Sequence, residues 1–164
     1  MYEYQKRFPD LDLKIARLFN TYGPRMDIND GRVITNFIRQ IKRGLPIEIY
    51  GDGSQTRSFC YIDDTVRGLV SFMETPGVDV GSVGPVNIGN PDCEFTMNQL
   101  VEVFRRALRR GCDSDGNGDG DSTFEVKYLP KTQDDPMCRR PVIMKAQELF
   151  GFRCDVGLEE GIQY

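Results

Sequence analysis

Four arginines beside turns are the residues best suited to hold a ligand: Arg32, Arg57, Arg139 and Arg140. Arg57 opens a strand just after residues 51–56, a segment expected to be flexible. Its planar guanidinium suits the paired oxygens of a diphosphate. Arg139-Arg140-Pro141 is expected to open a helix near Ile143, where an arginine and the positive helix end would act together on an anion. Read singly, each of these is an ordinary solvated or salt-bridged surface residue, Arg57 or Arg139 merely holding Asp134 or Asp135 at the surface. Asn20-Thr21-Tyr22-Gly23-Pro24-Arg25 follows directly on a strand. In open α/β sheets ligands bind at the carboxyl edge of the strands, although the same residues also read as a plain strand-to-loop turn.

Two further patterns imitate chemistry. Tyr2 and Lys6 have the YxxxK spacing, which puts them on one helical face where lysine can lower the tyrosine pKa and orient a ribose. A strand over 13–19 would separate them from Asn20 by roughly 20 Å at the usual rise per residue. The pair is therefore given no catalytic role, and no catalytic residue is assigned to the chain. Asp113, Asp115, Asn117, Asp119 and Asp121 alternate as in the opening of an EF-hand, with Gly118 in the sixth place. Phe124 stands where the bidentate glutamate belongs, and Glu125 comes one residue late. Residues 111–123 are read instead as an exposed, mobile acidic insertion without a calcium site.

These residues need a frame. A buried strand is expected at 13–19, with Ile15, Ala16 and Leu18 inside. A helix over 33–43 carries Val33, Ile34, Phe37, Ile38 and Ile41 at helical spacing, with Gly44 to end it. Strands follow at 47–50 and 57–61, and Asp63 or Asp64 is expected to cap a helix whose apolar side includes Val66, Leu69, Val70 and Met73. A Gly-rich loop at 77–84 leads to a strand at 86–88. Thr96 and Gln99 have capping-box spacing before a helix to about Arg110. A strand at 124–129, a helix at 143–150 ending at Gly151, and two helical turns from Leu158 complete the chain. The class is α/β. Both ends read as cut, and a buried strand of this kind needs neighbours on both edges.

Composition narrows the function classes. Lys and Arg number 21 against 25 Asp and Glu, a net charge of -4, which argues against a broad nucleic-acid footprint. With no histidine and five scattered cysteines lacking a CxxC pair, neither a zinc site nor imidazole acid–base chemistry is expected, and a reducing compartment is. No apolar run approaches the roughly 20 residues of a membrane span, and the N-terminus is no signal peptide.

The stretch from Ile15 to Asp64, IARLFNTYGPRMDINDGRVITNFIRQIKRGLPIEIYGDGSQTRSFCYIDD, resembles the extended short-chain dehydrogenase/reductase family of nucleotide-sugar enzymes. The resemblance continues through Gly84 to Pro91 and Asp134 to Pro141, and NDGRV, GDGSQTRSFCY and NIGNP look most like UDP-glucuronate decarboxylases. It implies a partial NAD-binding Rossmann-like fold, the C-terminal part with the substrate-binding subdomain, over 1–164. It further implies that Asn20 meets the substrate phosphate or sugar, that Asn36 lies by the nucleotide, and that Tyr50 helps form the uracil pocket. Arg57 and Arg139 would grip the UDP diphosphate. Tyr4 and Arg7 match helix-end positions near substrate, and Thr21, Asp27 and Arg32 match positions near NAD, the family often having histidine where Asp27 stands.

In such enzymes NAD oxidises the sugar at C4, the carboxylate β to the new ketone leaves as CO2, and hydride returns to give UDP-xylose. The chain contains no G-x-x-G-x-x-G loop and no acidic ribose-binding strand end, and the family tyrosine would lie farther upstream of Asn20 than 19 residues reach. Val142 stands where the family has Asp. The expectation is a UDP-sugar-binding piece, inactive alone, of a homodimeric cytoplasmic enzyme, with an upstream Golgi-targeting segment left open. A piece of a UDP-sugar epimerase or dehydratase, or a non-catalytic binding module, are the other readings.

Overall fold

The computed structural model describes residues 2–8, 10–78, 81–113, 124–131, 133 and 135–163. Helix α1 (Tyr2–Arg7) precedes β1 (Ala16–Leu18) and β2 (Thr21–Tyr22). Then come α2 (Val33–Lys42), β3 (Ile47–Tyr50), β4 (Thr56–Ser58), β5 (Cys60–Tyr61), α3 (Ile62–Glu74) and β6 (Val86–Ile88). The remainder is β7 (Glu94–Thr96), α4 (Met97–Asp113), β8 (Val126–Leu129), β9 (Cys138–Arg139), α5 (Met144–Phe150) and α6 (Leu158–Gly161). Parallel pairs β1–β6, β2–β5 and β3–β8 stand beside a three-stranded sheet in which β4 runs antiparallel to β7 and parallel to β9. Parallel pairing requires crossovers, and α2, α3 and α4 supply them, giving a mixed α/β architecture with β-α-β connections.

Several expectations hold in detail. α2 and β3 lie where their patterns put them, and Gly151 ends α5 in the left-handed region at φ 66°. The capping box is reciprocal: Gln99 N donates to Thr96 Oγ1 at 3.0 Å, and Thr96 N donates to Gln99 Oε1 at 2.8 Å. The calcium imitation is not part of this account, because 114–123 and the side chains of 111–113 lie outside the described residues.

Other expectations are corrected. The strand at 13–19 keeps a ladder only over Ala16–Leu18, flanked by Val86 N to Ile15 O and Phe19 N to Ile88 O, and Leu18 is exposed. The strand at 57–61 is two, β4 and β5. β7 and β9 were not anticipated, since each is too short to show a period. Neither Asp63 nor Asp64 caps α3; Tyr61 holds that position without a side-chain bond. Val66, Val70 and Met73 are exposed, and α3 buries Asp64, Thr65, Gly68 and Phe72 instead. The reason is Phe152, whose ring would lie 2.6 Å from a Cβ at position 68, so the helix turns its glycine face inward. Residues 51–56, expected to be flexible, are anchored. Asp52 Oδ1 accepts from Ser54 N at 3.0 Å and Ser54 Oγ at 2.6 Å, while Asn98 Nδ2 donates to Asp52 O at 3.0 Å.

Two hydrophobic clusters hold the elements. One joins α2, β3 and α4 through Ile34, Phe37, Ile47, Ile49, Leu100 and Phe104, with the Phe37 and Phe104 rings edge to face at 5.7 Å. The other packs Phe72, Val86, Ile88, Ile143, Ala146 and Phe152. Asp64 ties the C-terminal segment to α3. Its Oδ1 accepts from Arg67 Nη2 at 2.6 Å, and its Oδ2 from the backbone N–H groups of Asp155 and Val156 at 3.1 Å each.

Replacing Asp64 with Ala would leave a cation and two amides short of an acceptor, so Asp64→Ala should cost about 3 kcal/mol. Thr96→Ala, which removes only a cap, should cost about 1 kcal/mol. Urea titration of the two variants against the parent chain checks the order; equal midpoints for parent and Asp64→Ala would show that the carboxylate is dispensable.

A second prediction concerns alkaline pH. Burial pushes the Cys93 thiol up from 9.0 to about 11, and burial likewise raises the Tyr22 phenol above its ordinary range. Both folded-state values lie above the unfolded ones. The Cys93 contribution is therefore fully present below pH 9.0 and is lost as pH rises toward about 11, while the Tyr22 contribution starts to be lost only above pH 10.0 and continues beyond that window. The loss should reach about 2 kcal/mol, and Cys93→Ala should lose less across the same window in urea titrations at stepped pH.

Candidate functional site

The chain turns directly from the end of β1 into Asn20 and β2, and this turn forms the floor of a cleft of about 280 Å³. α2 supplies Asn36 and Phe37, β3 supplies Glu48 and Tyr50, and β4 supplies Arg57. The entry to α2 is set by Asp30, whose Oδ1 accepts from Arg32 N at 2.9 Å and also from the Thr35 hydroxyl. That turn places Arg32 on the rim. Six residues singled out from the sequence thus line one cleft: Asn20, Thr21, Arg32, Asn36, Tyr50 and Arg57.

Their bonding differs. Arg57 is buried, its Nη1 donating to Thr56 O at 2.6 Å and Pro136 O at 2.9 Å, and its Nη2 to the Asp135 carboxylate. Asp135 lines the cleft as well. Asn20 O accepts from Cys60 N at 3.0 Å, while its side-chain Nδ2 is buried without a partner. An open buried donor and a buried guanidinium thus line the same cleft, and each is a group that an oxygen acceptor can satisfy. Thr21 Oγ1 is committed to Phe19 O at 3.1 Å and to the Thr65 hydroxyl at 3.2 Å. Asn36 is committed at both ends, donating to Gly31 O and accepting from Arg39. Arg32 is 60% exposed, and its contacts among the described residues are at 3.5 Å to Asp30 and to Thr21 O. Tyr22 also lines the cleft, but its Oη donates to Gly157 O at 3.2 Å and burial keeps it protonated; it is wall, not base.

The other residues singled out lie elsewhere. Arg139 is exposed on β9, the register partner of Arg57 on β4, so both side chains leave the sheet on one face. It does not stand at a helix start: α5 begins only at Met144. Asp27 closes a turn by accepting from Asn29 N at 2.9 Å. Tyr4 and Arg7 line a separate shallow pocket with Phe8, Asp10 and Leu11. Lys6 pairs with Glu3 at 3.0 Å, and the Tyr2 side chain lies outside the described residues.

Gln55 was missed. Gln55 is buried and its Nε2 donates to Tyr50 O at 2.7 Å, closing the turn that carries Tyr50 into the wall. Its position two residues before Arg57 was a usable signal, because alternate residues of an extended segment share a face. Asp135, weighed in the sequence only as a surface partner of Arg57 or Arg139, accepts from Arg57 and lines the cleft.

The model of the NAD dependent epimerase/dehydratase family matches residues 1–89, more than half of the 164. The chain is 43% identical to UDP-glucuronic acid decarboxylase 3 of Arabidopsis thaliana over 99% of its own length and 42% of that protein's. It is 41% identical to UDP-glucuronic acid decarboxylase 1 of Danio rerio, over 98% of this chain and 34% of the relative. Among solved structures it resembles UDP-glucuronic acid 4-epimerase from Bacillus cereus in complex with UDP-glucuronic acid and NAD, with a TM-score of 0.79 and 26% identity. That match covers 99% of this chain and 46% of the epimerase. The chain thus spans less than half the length of these relatives, and its α/β crossovers are part of a Rossmann-like fold. On the extent of the family match, the chain belongs to the NAD dependent epimerase/dehydratase family.

Proposed function

We propose that this chain is the UDP-sugar-binding part of a UDP-glucuronate decarboxylase. The observation that carries the reading is the cleft that Asn20, Asn36, Tyr50 and Arg57 line together, with an open amide donor and a buried guanidinium both in its wall. Identities of 41–45% to decarboxylases over nearly the whole chain support decarboxylation over epimerisation; the epimerase from Bacillus cereus is 26% identical.

In this reading Arg57 meets the diphosphate, sharing its charge between ligand and Asp135, and Arg139 approaches from the neighbouring strand. Asn20 Nδ2 donates to a phosphate or sugar oxygen. Tyr50 and Asn36 border the nucleoside. Arg32 and Thr21 stand at the rim where NAD would lie, Arg32 able to reach a phosphate; Asp27 is a contact only if its turn opens. NAD, when bound, supplies hydride acceptance and return at the sugar. Oxidation of the sugar C4 alcohol to a ketone puts an electron-accepting carbonyl β to the carboxylate, so the carbon–carbon bond can break with loss of CO2. The cleft residues bind and orient the sugar; none is assigned the proton transfer. The complete enzyme is proposed to act as a homodimer in the cytoplasm.

Two measurements test this. The 164-residue chain alone, given UDP-glucuronate and NAD, should release no CO2. A longer protein that contains this segment, a glycine-rich loop and a catalytic tyrosine should yield UDP-xylose. An epimer or a 4-keto-6-deoxy sugar as product would move the chain to another branch of the family.

Titration of UDP into that longer protein tests the site. Losing a buried, hydrogen-bonded charge contact costs about 2 to 5 kcal/mol, so Arg57→Ala should weaken UDP binding more than tenfold with NAD affinity preserved. Arg139→Ala, at an exposed position, should have a smaller effect. If Arg57 serves only to hold Asp135, UDP affinity will not change.

A further inference from the structure

Behind the floor of the cleft lie two thiols that the proposed function does not use. Cys60 on β5 is fully buried, and its Sγ is 3.7 Å from Cys154 Sγ, a residue 94 positions later in the chain. Both are held in place. Cys60 N donates to Asn20 O, and β5 is in register with β2 through Thr21 and Cys60. On the other side, the Cys154 thiol donates to Gly89 O at 3.6 Å, and the next two residues are pinned by Asp64. Phe152 is wedged against Gly68. Cys93 is buried elsewhere in the core and Cys138 is exposed beside Glu94, its thiol donating to that carboxylate at 3.2 Å. Among the described cysteines, Cys60 and Cys154 are the only two within bonding reach of each other.

The geometry points to Cys60 and Cys154 as a redox modification site at which a peroxide forms an intramolecular disulfide. A disulfide needs the sulfurs at about 2.05 Å, so the existing contact of 3.7 Å must close. Cys154 is half-buried and gives the oxidant its entry, whereas Cys60 is sealed. In the first step Cys154 sulfur takes one oxygen from hydrogen peroxide as the O–O bond breaks, giving a sulfenic acid and one water. In the second, Cys60 sulfur attacks that sulfur; the S–S bond forms, the S–O bond breaks, and the departing hydroxyl takes the Cys60 proton as a second water. The peroxide is reduced and the two thiols are oxidised.

The pair is one step from the cleft. Thr65 Oγ1 donates to Cys60 Sγ at 3.3 Å and shares a hydrogen bond with the Thr21 hydroxyl. The crosslink would therefore clamp the C-terminal segment to the strand that backs Asn20 and Thr21. This inference rests on the thiol geometry alone and stands whether or not the cleft binds a UDP-sugar.

The experiment treats the full chain with hydrogen peroxide under native conditions, alkylates the remaining thiols and maps the peptides by mass spectrometry. The expected product is a peptide linking Cys60 to Cys154, lighter by about 2 Da than the reduced pair and reopened by dithiothreitol. Cys154→Ser should abolish it, and Cys138→Ser should leave it intact. Alkylation of both thiols after oxidation, sulfinic acid at Cys154 without a crosslink, or pairing of Cys154 with another cysteine would each overturn the assignment. Mapping of the parent chain decides the matter even if a variant fails to fold.

Discussion

Burying a guanidinium is costly unless acceptors take its hydrogens, and Arg57 is buried. Much of the cleft's shape follows from how that requirement is met. Thr56 O and Pro136 O accept from Nη1, and Asp135 accepts from Nη2. The segment around Asp135 and Pro136 is thereby drawn onto β4, where Thr56 N donates to Met137 O and the ladder continues into β9. β4 in turn fixes β7, whose last residue, Thr96, opens α4 through its capping box. One buried cation thus connects the wall of the cleft to the helix that packs beneath it.

Under the proposed function, the same cation is what lets the cleft take a phosphate while the chain as a whole is acidic. A net charge of -4 describes the surface. Inside the cleft the balance is set locally by Arg57, Asp135, Glu48 and the rim arginine Arg32. Asp135 neutralises Arg57 in the absence of ligand, which limits the cost of its burial. The unpartnered Nδ2 of Asn20 has no such substitute. An oxygen that reaches both would relieve the more costly defect first, and this is why the amide says more about the ligand than the arginine does.

Legibility in the sequence followed the length over which a physical signal accumulates. α2 and β3 span enough residues for a period to show, and both were placed to within a residue. The capping box at Thr96 and Gln99 is a purely local pair, and it too was readable. β7 and β9 have three and two residues, and owe their existence to pairing with β4 rather than to any pattern of their own. The site divided in the same way. Residues carried on elements after recognisable turns, such as Asn20, Asn36 and Arg57, could be named in advance. Asp135 could be named only as a surface partner of Arg57 or Arg139, because only the folded chain shows that it lines the cleft. Arg139 was assigned to the wrong element, since Arg-Arg-Pro before a helix reads as a helix entry whether or not a strand intervenes.

The misread face of α3 has a more general cause. Val66, Val70 and Met73 recur at four- and three-residue intervals, and such a stripe ordinarily marks the buried side of a helix. Periodicity identifies a face that gains by being covered; it does not say that the same stretch of chain covers it. Here the decisive residue is Gly68, because only a glycine lets the Phe152 ring reach the helix backbone. Asp64 then draws residues 155 and 156 to that side with two backbone bonds, and Phe72 completes the contact. A buried carboxylate and a glycine outweigh three aliphatic side chains, because backbone amides need an acceptor of fixed direction whereas an apolar face accepts any cover. Met73 is left 73% exposed. In a chain that spans less than half of its relatives' length, an apolar stripe is thus evidence of chemistry seeking cover, and the polar residues that seize a neighbour decide which way the helix faces.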